Sequence, residues 1–191
     1  MGTVADEPDK VVLTLQDLRE VARYAAGSAQ LVLEIFERAH PADSRPREAI
    51  EAAWAFAAGG ARGKALRDAA WAAHKAAREA GSTAAGEAAR AAMSAASAAY
   101  LHPLADAHQV KHILGAAAYA ARAAELDAGD DRGVGAQHLE LARQRATAAV
   151  VEVLNRFPTA PPGGGRVGEL LRDLDAALRG SSRTDGVADL P

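Results

Sequence analysis

The sequence predicts an all-α fold, a single helical bundle of six or seven helices. Apolar residues recur at helical spacing along most of the 191-residue chain, and no segment alternates like a strand. Alanine, the best helix former, supplies much of the 49% of hydrophobic residues, while aromatic residues make up only 4%. The length suits one domain, expected over residues 13–180 between disordered tails at residues 1–12 and 181–191.

Capping residues, prolines and glycines mark the helix boundaries. Thr14 starts the first helix, because Asp17 occupies the position of its capping-box partner three residues later. Pro41 ends that helix, and a bend is expected near Gly27. The predicted helices cover about residues 14–39, 44–58, 64–80, 83–100, 104–126, 136–156 and 167–179.

The fifth predicted helix, residues 104–126, is apolar on almost every side, which is typical of a buried central helix. Residues 158–166 read PTAPPGGGR and cannot be helical, so they form a linker, most simply a flexible hinge. The short C-terminal helix after this linker carries a narrow leucine stripe, which predicts that it docks on the bundle.

Composition excludes several classes of function. A net charge of −3 and a pI near 6.1 argue against a nucleic-acid partner. No long uncharged apolar run predicts a membrane span, and the polar N-terminus does not resemble a secretory signal. Without cysteine, disulfides are excluded. The sequence therefore predicts a cytoplasmic protein with no membrane partner and no cofactor.

Polar residues form one stripe along the fifth helix, at spacings of i, i+4, i+7, i+11 and i+14: His108, His112, Gly115, Tyr119 and Arg122. Because the rest of this helix is apolar, the stripe is expected to face an internal groove. Similar polar edges carry tryptophan and arginine, which are typical of binding anchors. They are Arg67, Trp71, His74 and Arg78 in the third helix, and Arg47, Glu51 and Trp54 in the second.

Each of these residues also has a structural interpretation. A buried histidine is more often a satisfied core residue, tryptophans often fill core edges, and Arg45, Arg47 and Arg78 could form surface ion pairs. His108 and His112 have the spacing of metal ligands, with His102 as a third, but no zinc-protease glutamate lies between them. We therefore expect no metal.

Three blocks in the chain resemble an alanine-rich, all-helical family of bacterial immunity proteins associated with polymorphic toxins: DSRPREAIEAAWAF (Asp43–Phe56), AAHKAAREA (Ala72–Ala80) and AHQVKHILGAAAYAARAAEL (Ala107–Leu126). The resemblance implies a helical fold and a role in neutralising a toxin, but no known active site. The matching polar positions are Asp43, Arg45, Arg47, His74, Arg78, His108, His112 and Tyr119. Pro103 departs from the family pattern and leaves His102 or His108 for the first histidine position, with the spacing favouring His108.

Three functions remain open on the sequence. The first is a binding protein that neutralises a toxin. The second is a protein that binds a small molecule, in self-resistance or biosynthesis, in a cleft of histidine, tyrosine, arginine and tryptophan side chains between helices. The third, a metal-dependent enzyme, has the least support. The candidate binding residues are Asp43, Arg45, Arg47, Trp54, Trp71, His74, Arg78, His102, His108, His112 and Tyr119. A core built largely from alanine also makes a homodimer plausible, because a second subunit would bury more apolar surface.

Overall fold

The computed structural model describes residues 9–184, with side chains to residue 180. Within that range the chain is helical, apart from loops, 3-10 turns and one isolated bridge between Lys10 and Leu104. Its helices are α1 (Leu15–Gln30), α2 (Leu33–Ala39), α3 (Arg45–Ala57), α4 (Lys64–Ala80), α5 (Ala84–Ser97), α6 (Val110–Asp127), α7 (Arg132–Arg145), α8 (Ala148–Asn155) and α9 (Gly165–Thr184). The all-α prediction is confirmed. None of the described helices is long and apolar enough to cross a membrane.

The prediction of six or seven helices is wrong for the described residues, because two predicted helices are each divided. The first predicted helix breaks at Val32 and not near Gly27. Val32 in this turn and Phe36 in α2 are both buried, and α2 packs against α5. The second breaks before Thr147, whose hydroxyl accepts from the backbone N–H of Val150 and caps α8. A side-chain cap of this kind competes with continuation of the helix.

The central helix α6 begins at Val110, six residues later than predicted. Asp106 accepts from the backbone N–H of His108 at 2.8 Å and starts a 3-10 turn, Ala107–Gln109, ahead of the helix. Leu104 instead pairs with Lys10, and the N–H of Val11 donates to the carbonyl of Pro103. These contacts fix residues that the sequence assigns to the N-terminal tail. Residues 1–8 and 185–191 lie outside the described part of the chain.

Helix α6 is buried on nearly every side, as predicted, and packs against α1, α5, α7 and α9. Residues 113–118 are all buried, and the five that have side chains are each at most 2% exposed. Most of these side chains are small. Alanine buries little area per residue, but it allows neighbouring helices to approach closely. The core therefore depends on close helix packing.

The C-terminal helix α9 docks on the bundle through its leucines, as predicted. All four are buried: Leu170, Leu171, Leu174 and Leu178. The helix is longer than predicted, because it begins at Gly165 and passes through Gly180 to Thr184 instead of ending there. Glycine lowers helix stability without forbidding a helix, which explains the error.

The linker before α9 is held by side chains of that helix. Arg172 donates to the carbonyls of Pro161 at 3.1 Å and Gly163 at 2.7 Å. The buried carboxylate of Asp175 accepts from the N–H of Ala160 at 2.9 Å. These bonds give the linker a defined path across the bundle, instead of the flexible hinge that its composition suggests.

A buried ion cluster joins α6 to α9 beneath α7. Glu125 is fully buried and accepts from Arg122 at 2.8 Å and from Nε of Arg166 at 3.1 Å. Burial alone would raise the pKa of Glu125, but the hydrogen bonds from these two guanidinium groups, together with their charge, keep it below its usual value. A Cβ atom on Gly135 would lie 2.1 Å from Oε1 of Glu125, so only glycine fits there. Arg122 thus belongs to this cluster as well as to the predicted polar stripe.

Candidate functional site

A groove of about 570 Å³ runs between α5, α6 and α9. Its α6 side carries four residues of the predicted stripe: His108, His112, Gly115 and Tyr119. The opposite side is the linker and the start of α9, and α5 supplies Met93, Ser94 and Ser97. We call this the histidine groove. The stripe does line a groove between helices, and the groove is open to solvent along part of its length.

The indole of Trp71 stands out from α4 and is 66% exposed. The ring of His74 lies edge-on to it, with the two centroids 5.8 Å apart at 81°. Arg67 and Arg78 are also exposed on this helix. We call these four residues the tryptophan face. A cavity of about 350 Å³ lies beneath this face, and His112 lines both that cavity and the histidine groove. The tryptophan face and the histidine groove therefore adjoin at His112 and form one continuous surface.

His112 is held in one tautomer by the end of α5. Its Nδ1 lies 3.2 Å from the carbonyl oxygen of Ser97. Because a carbonyl only accepts, Nδ1 carries the hydrogen and Nε2 keeps the lone pair of the neutral ring. Burial lowers the pKa of His112, an effect larger than the opposing hydrogen bond. His112 is therefore a neutral hydrogen-bond acceptor near pH 7.

This shift in pKa predicts a loss of stability in mild acid. Since the folded-state pKa is lowered, the unfolded state binds more protons once the pH falls below about 6.5. Above that pH the neutral ring makes its full contribution to the free energy of unfolding. This contribution is lost as the pH falls towards the folded-state pKa of His112. We expect His112→Gln to reduce the pH dependence of the unfolding free energy between about pH 7 and 5.

Urea unfolding across that pH range measures this effect. His138, whose pKa burial also lowers, keeps its own contribution in the variant. The control is Gln137→Ala, which removes an exposed, uncharged side chain on α7 and should keep the wild-type pH dependence. Equal pH dependence in His112→Gln and the wild type would contradict the assignment of a buried, neutral ring.

Tyr119 lines the far end of the groove, and its phenol and the nearby carboxyl of Glu87 both resist ionisation. Burial and the nearby negative charge of Glu87 raise the pKa of Tyr119. Burial likewise raises the pKa of Glu87, whose Oε1 accepts from Arg90 at 2.9 Å. Its other oxygen has no hydrogen-bond partner among the residues that the structure describes. The sequence analysis missed Glu87, because on α5 it sits one turn before an arginine and resembles an ordinary surface pair.

Several candidate residues lie away from this surface. Arg45 pairs with Asp43 at 2.6 Å and also with Glu79, next to Arg78 at the end of α4. Arg47 forms a surface ion pair, as the structural interpretation of the sequence allowed, and its partner is Glu37 at 2.6 Å. Trp54 lines a separate cavity formed largely by α1 and the turn between α7 and α8.

The three histidines considered as metal ligands are not gathered into one site. His102 is exposed in the loop before α6, and Nδ1 of His108 lies 2.9 Å from a carboxylate oxygen of Asp106. Among the described residues, no group of three or more histidine or carboxylate side chains could hold a metal ion. The geometry gives the metal-dependent alternative no ligand set.

Unpaired positive charge lies on the tryptophan face, at Arg67 and Arg78, and in the histidine groove, at Lys111. These three side chains form no ion pair within the described residues, whereas most other described lysines and arginines have a carboxylate partner. The guanidinium of Arg67 instead lies over the ring of Tyr100, 5.6 Å from its centroid. Although the chain as a whole is acidic, this surface presents unpaired cations around an exposed indole.

Comparison with known families identifies the kind of protein. A model of the family described as "Imm-5 like putative immunity protein" matches residues 12–151, most of the chain. The chain belongs to this family. The match extends from the start of α1 into α8 and includes Trp71, His74, His112 and Tyr119, whereas the linker and α9 lie beyond it. The resemblance seen in the sequence is therefore confirmed as membership of the Imm-5 like family. Searches of curated proteins and of solved structures returned no match.

Proposed function

We propose that this protein neutralises a cognate toxin by non-covalent binding, and that the tryptophan face and the histidine groove form its binding surface. Membership of the Imm-5 like family supports a toxin as the partner. The observation that carries the choice of surface is Trp71, an indole 66% exposed beside a cavity. Tryptophan and arginine dominate the energetic centres of protein interfaces.

The charge of this surface favours an acidic patch on the toxin. Arg67, Arg78 and Lys111 have no carboxylate partner within the described chain, so an approaching carboxylate would meet unpaired cations. Complementary charge mainly raises the association rate and the selectivity of a complex. The toxin would therefore place acidic residues around an apolar pocket that accepts the Trp71 indole.

The direct test first searches the genes beside this one for a toxin and then combines that toxin with this protein. Mixing the two purified proteins should give a stoichiometric complex, with toxin activity falling linearly to zero at equivalence and the toxin mass unchanged. Raising the salt from about 0.05 to 0.5 M should slow association. Absence of a complex would overturn the proposal. Inhibition by a small fraction of an equivalent, with a change in toxin mass, would instead indicate an enzyme.

A second candidate function is small-molecule binding in the histidine groove. The observation that favours it is a space of about 570 Å³, large enough for a ligand, lined by the neutral ring of His112 and by Tyr119. In this proposal His112 accepts a proton or hydrogen bond and Trp71 stacks on a ring at the edge of the groove. Thermal shift across a metabolite panel tests it, since true ligands should lose their effect in His112→Gln and Tyr119→Phe.

We propose that this protein acts in the cytoplasm, as the sequence predicts, against a toxin that acts inside the cell. A homodimer also remains a prediction, for which sedimentation at several concentrations is the measurement.

A further inference from the structure

Trp54 lines a cavity of about 330 Å³ that shares no residue with the histidine groove or the tryptophan face. It lies between α1, α3 and the turn that joins α7 to α8. Its apolar wall is formed by Tyr24, Leu31, Trp54 and Val150. Leu31 is 41% exposed at the rim, and Gly27 leaves the face of α1 open in front of the indole. The cavity is of the size that small ligands occupy.

Two arginines in this wall lack a close carboxylate. Arg145 donates to the carbonyl of Gly27 at 3.2 Å and forms no ion pair in the described structure. Arg23 donates to the carbonyl of Ala57 at 3.0 Å, and its nearest carboxylate, Glu20, is 4.0 Å away. Glu20 also accepts from Gln16. Two positive charges and one negative charge leave the wall with one uncompensated cation.

Tyr24 adds apolar surface to this wall. Its side chain is 6% exposed, and its hydroxyl is shielded from solvent and has no hydrogen-bond partner in the described structure. The hydroxyl therefore offers the cavity no polar contact, and the ring contributes as an apolar group. An indole, an apolar wall and an uncompensated arginine are suited to a ligand with both apolar and acidic parts.

We propose that this cavity is a second ligand site and that it binds an aromatic monocarboxylate. The ring would pack against Trp54 and Leu31, while the carboxylate would accept from Arg145 and Arg23. One negative charge balances the wall, and a guanidinium binds a carboxylate with paired, charge-assisted hydrogen bonds. A single aromatic ring suits the cavity volume, and the site does not depend on the toxin-binding proposal.

The test uses the full chain with the substitution Trp71→Phe, which leaves Trp54 as the sole tryptophan. Benzoate is the probe, and benzyl alcohol is its neutral counterpart of similar size. We expect benzoate to change Trp54 fluorescence in a saturable way, and to bind at least about tenfold more tightly than benzyl alcohol.

Two variants locate the carboxylate. Arg145→Gln should weaken benzoate binding about tenfold and leave benzyl alcohol unchanged. Arg143→Gln, on the same helix but paired with Glu140, is the matched control and should bind benzoate as the parent does. The proposal is overturned if benzoate gives no saturable change, if it binds no better than benzyl alcohol, or if the two arginine variants behave alike. Thermal melting of each variant confirms that it is folded.

Discussion

Replacing Glu125 with alanine is expected to lower the free energy of unfolding by about 3 kcal/mol, the largest effect of any single substitution considered for this chain. Glu125 is fully buried, whereas its partners Arg122 and Arg166 are 19% and 20% exposed. Its removal takes away the buried carboxylate between the two guanidinium groups and leaves each with one more exposed partner, Asp130 or Glu169. Both the lost charge attraction and the lost hydrogen bonds act against the folded state, and the contact between α6 and α9 weakens.

Urea unfolding at neutral pH measures this cost. The matched control is Glu140→Ala, which breaks an exposed pair with Arg143 and should cost about 0–1 kcal/mol. If Glu125→Ala were no more destabilising than this control, the cluster would not be a stabilising feature of the fold. A double variant, Glu125→Met with Arg166→Met, should recover part of the loss, because it removes charges together with their counter-charges.

Replacing Trp71 with alanine is expected to weaken toxin binding by at least about 2 kcal/mol, roughly thirtyfold in Kd. The indole is 66% exposed in the free protein, so its loss leaves no cavity in the core and should barely change stability. The variant therefore changes the binding free energy without changing the free energy of unfolding. Replacing a buried residue would change both. Calorimetric titration with the toxin and a urea melt of the same variant measure the two quantities.

Leu141→Ala is the control for general loss of apolar surface. Leu141 is 45% exposed on α7, away from the tryptophan face, and its removal should leave the toxin affinity unchanged. Equal affinity in wild type and Trp71→Ala would show that the toxin binds elsewhere. A loss in both variants would show that binding is spread over exposed apolar side chains instead of being centred on Trp71.

Local signals in the sequence were sufficient for much of the fold. The structure contains both hydrogen bonds of the predicted capping box at Thr14 and Asp17. Helix α4 starts and ends at the predicted residues, Lys64 and Ala80, and it ends where Gly81 adopts a positive φ of 69° that favours glycine. The buried surroundings of α6 follow from its unbroken apolar pattern. In each of these cases the deciding contacts lie within a few residues along the chain.

Some errors are local, such as the unrecognised caps at Thr147 and Asp106, and others arise where distant residues decide the structure. Glu125 and Arg166 are 41 positions apart, and the wall that the linker adds to the histidine groove depends on bonds formed only after α9 docks. Helical spacing predicts similar positions for Trp54 and Trp71, each at the polar edge of an apolar helix face. Which edge another helix covers is a tertiary property, and the structure puts the two tryptophans in separate cavities.

The most direct measurement for the proposed binding surface is hydrogen–deuterium exchange of this protein, free and in complex with the toxin. We predict slower exchange in peptides that cover α4 and residues 93–119, and no change in the turn between α7 and α8. Slower exchange confined to that turn, or to α1 and α3, would contradict a toxin contact centred on Trp71 and His112.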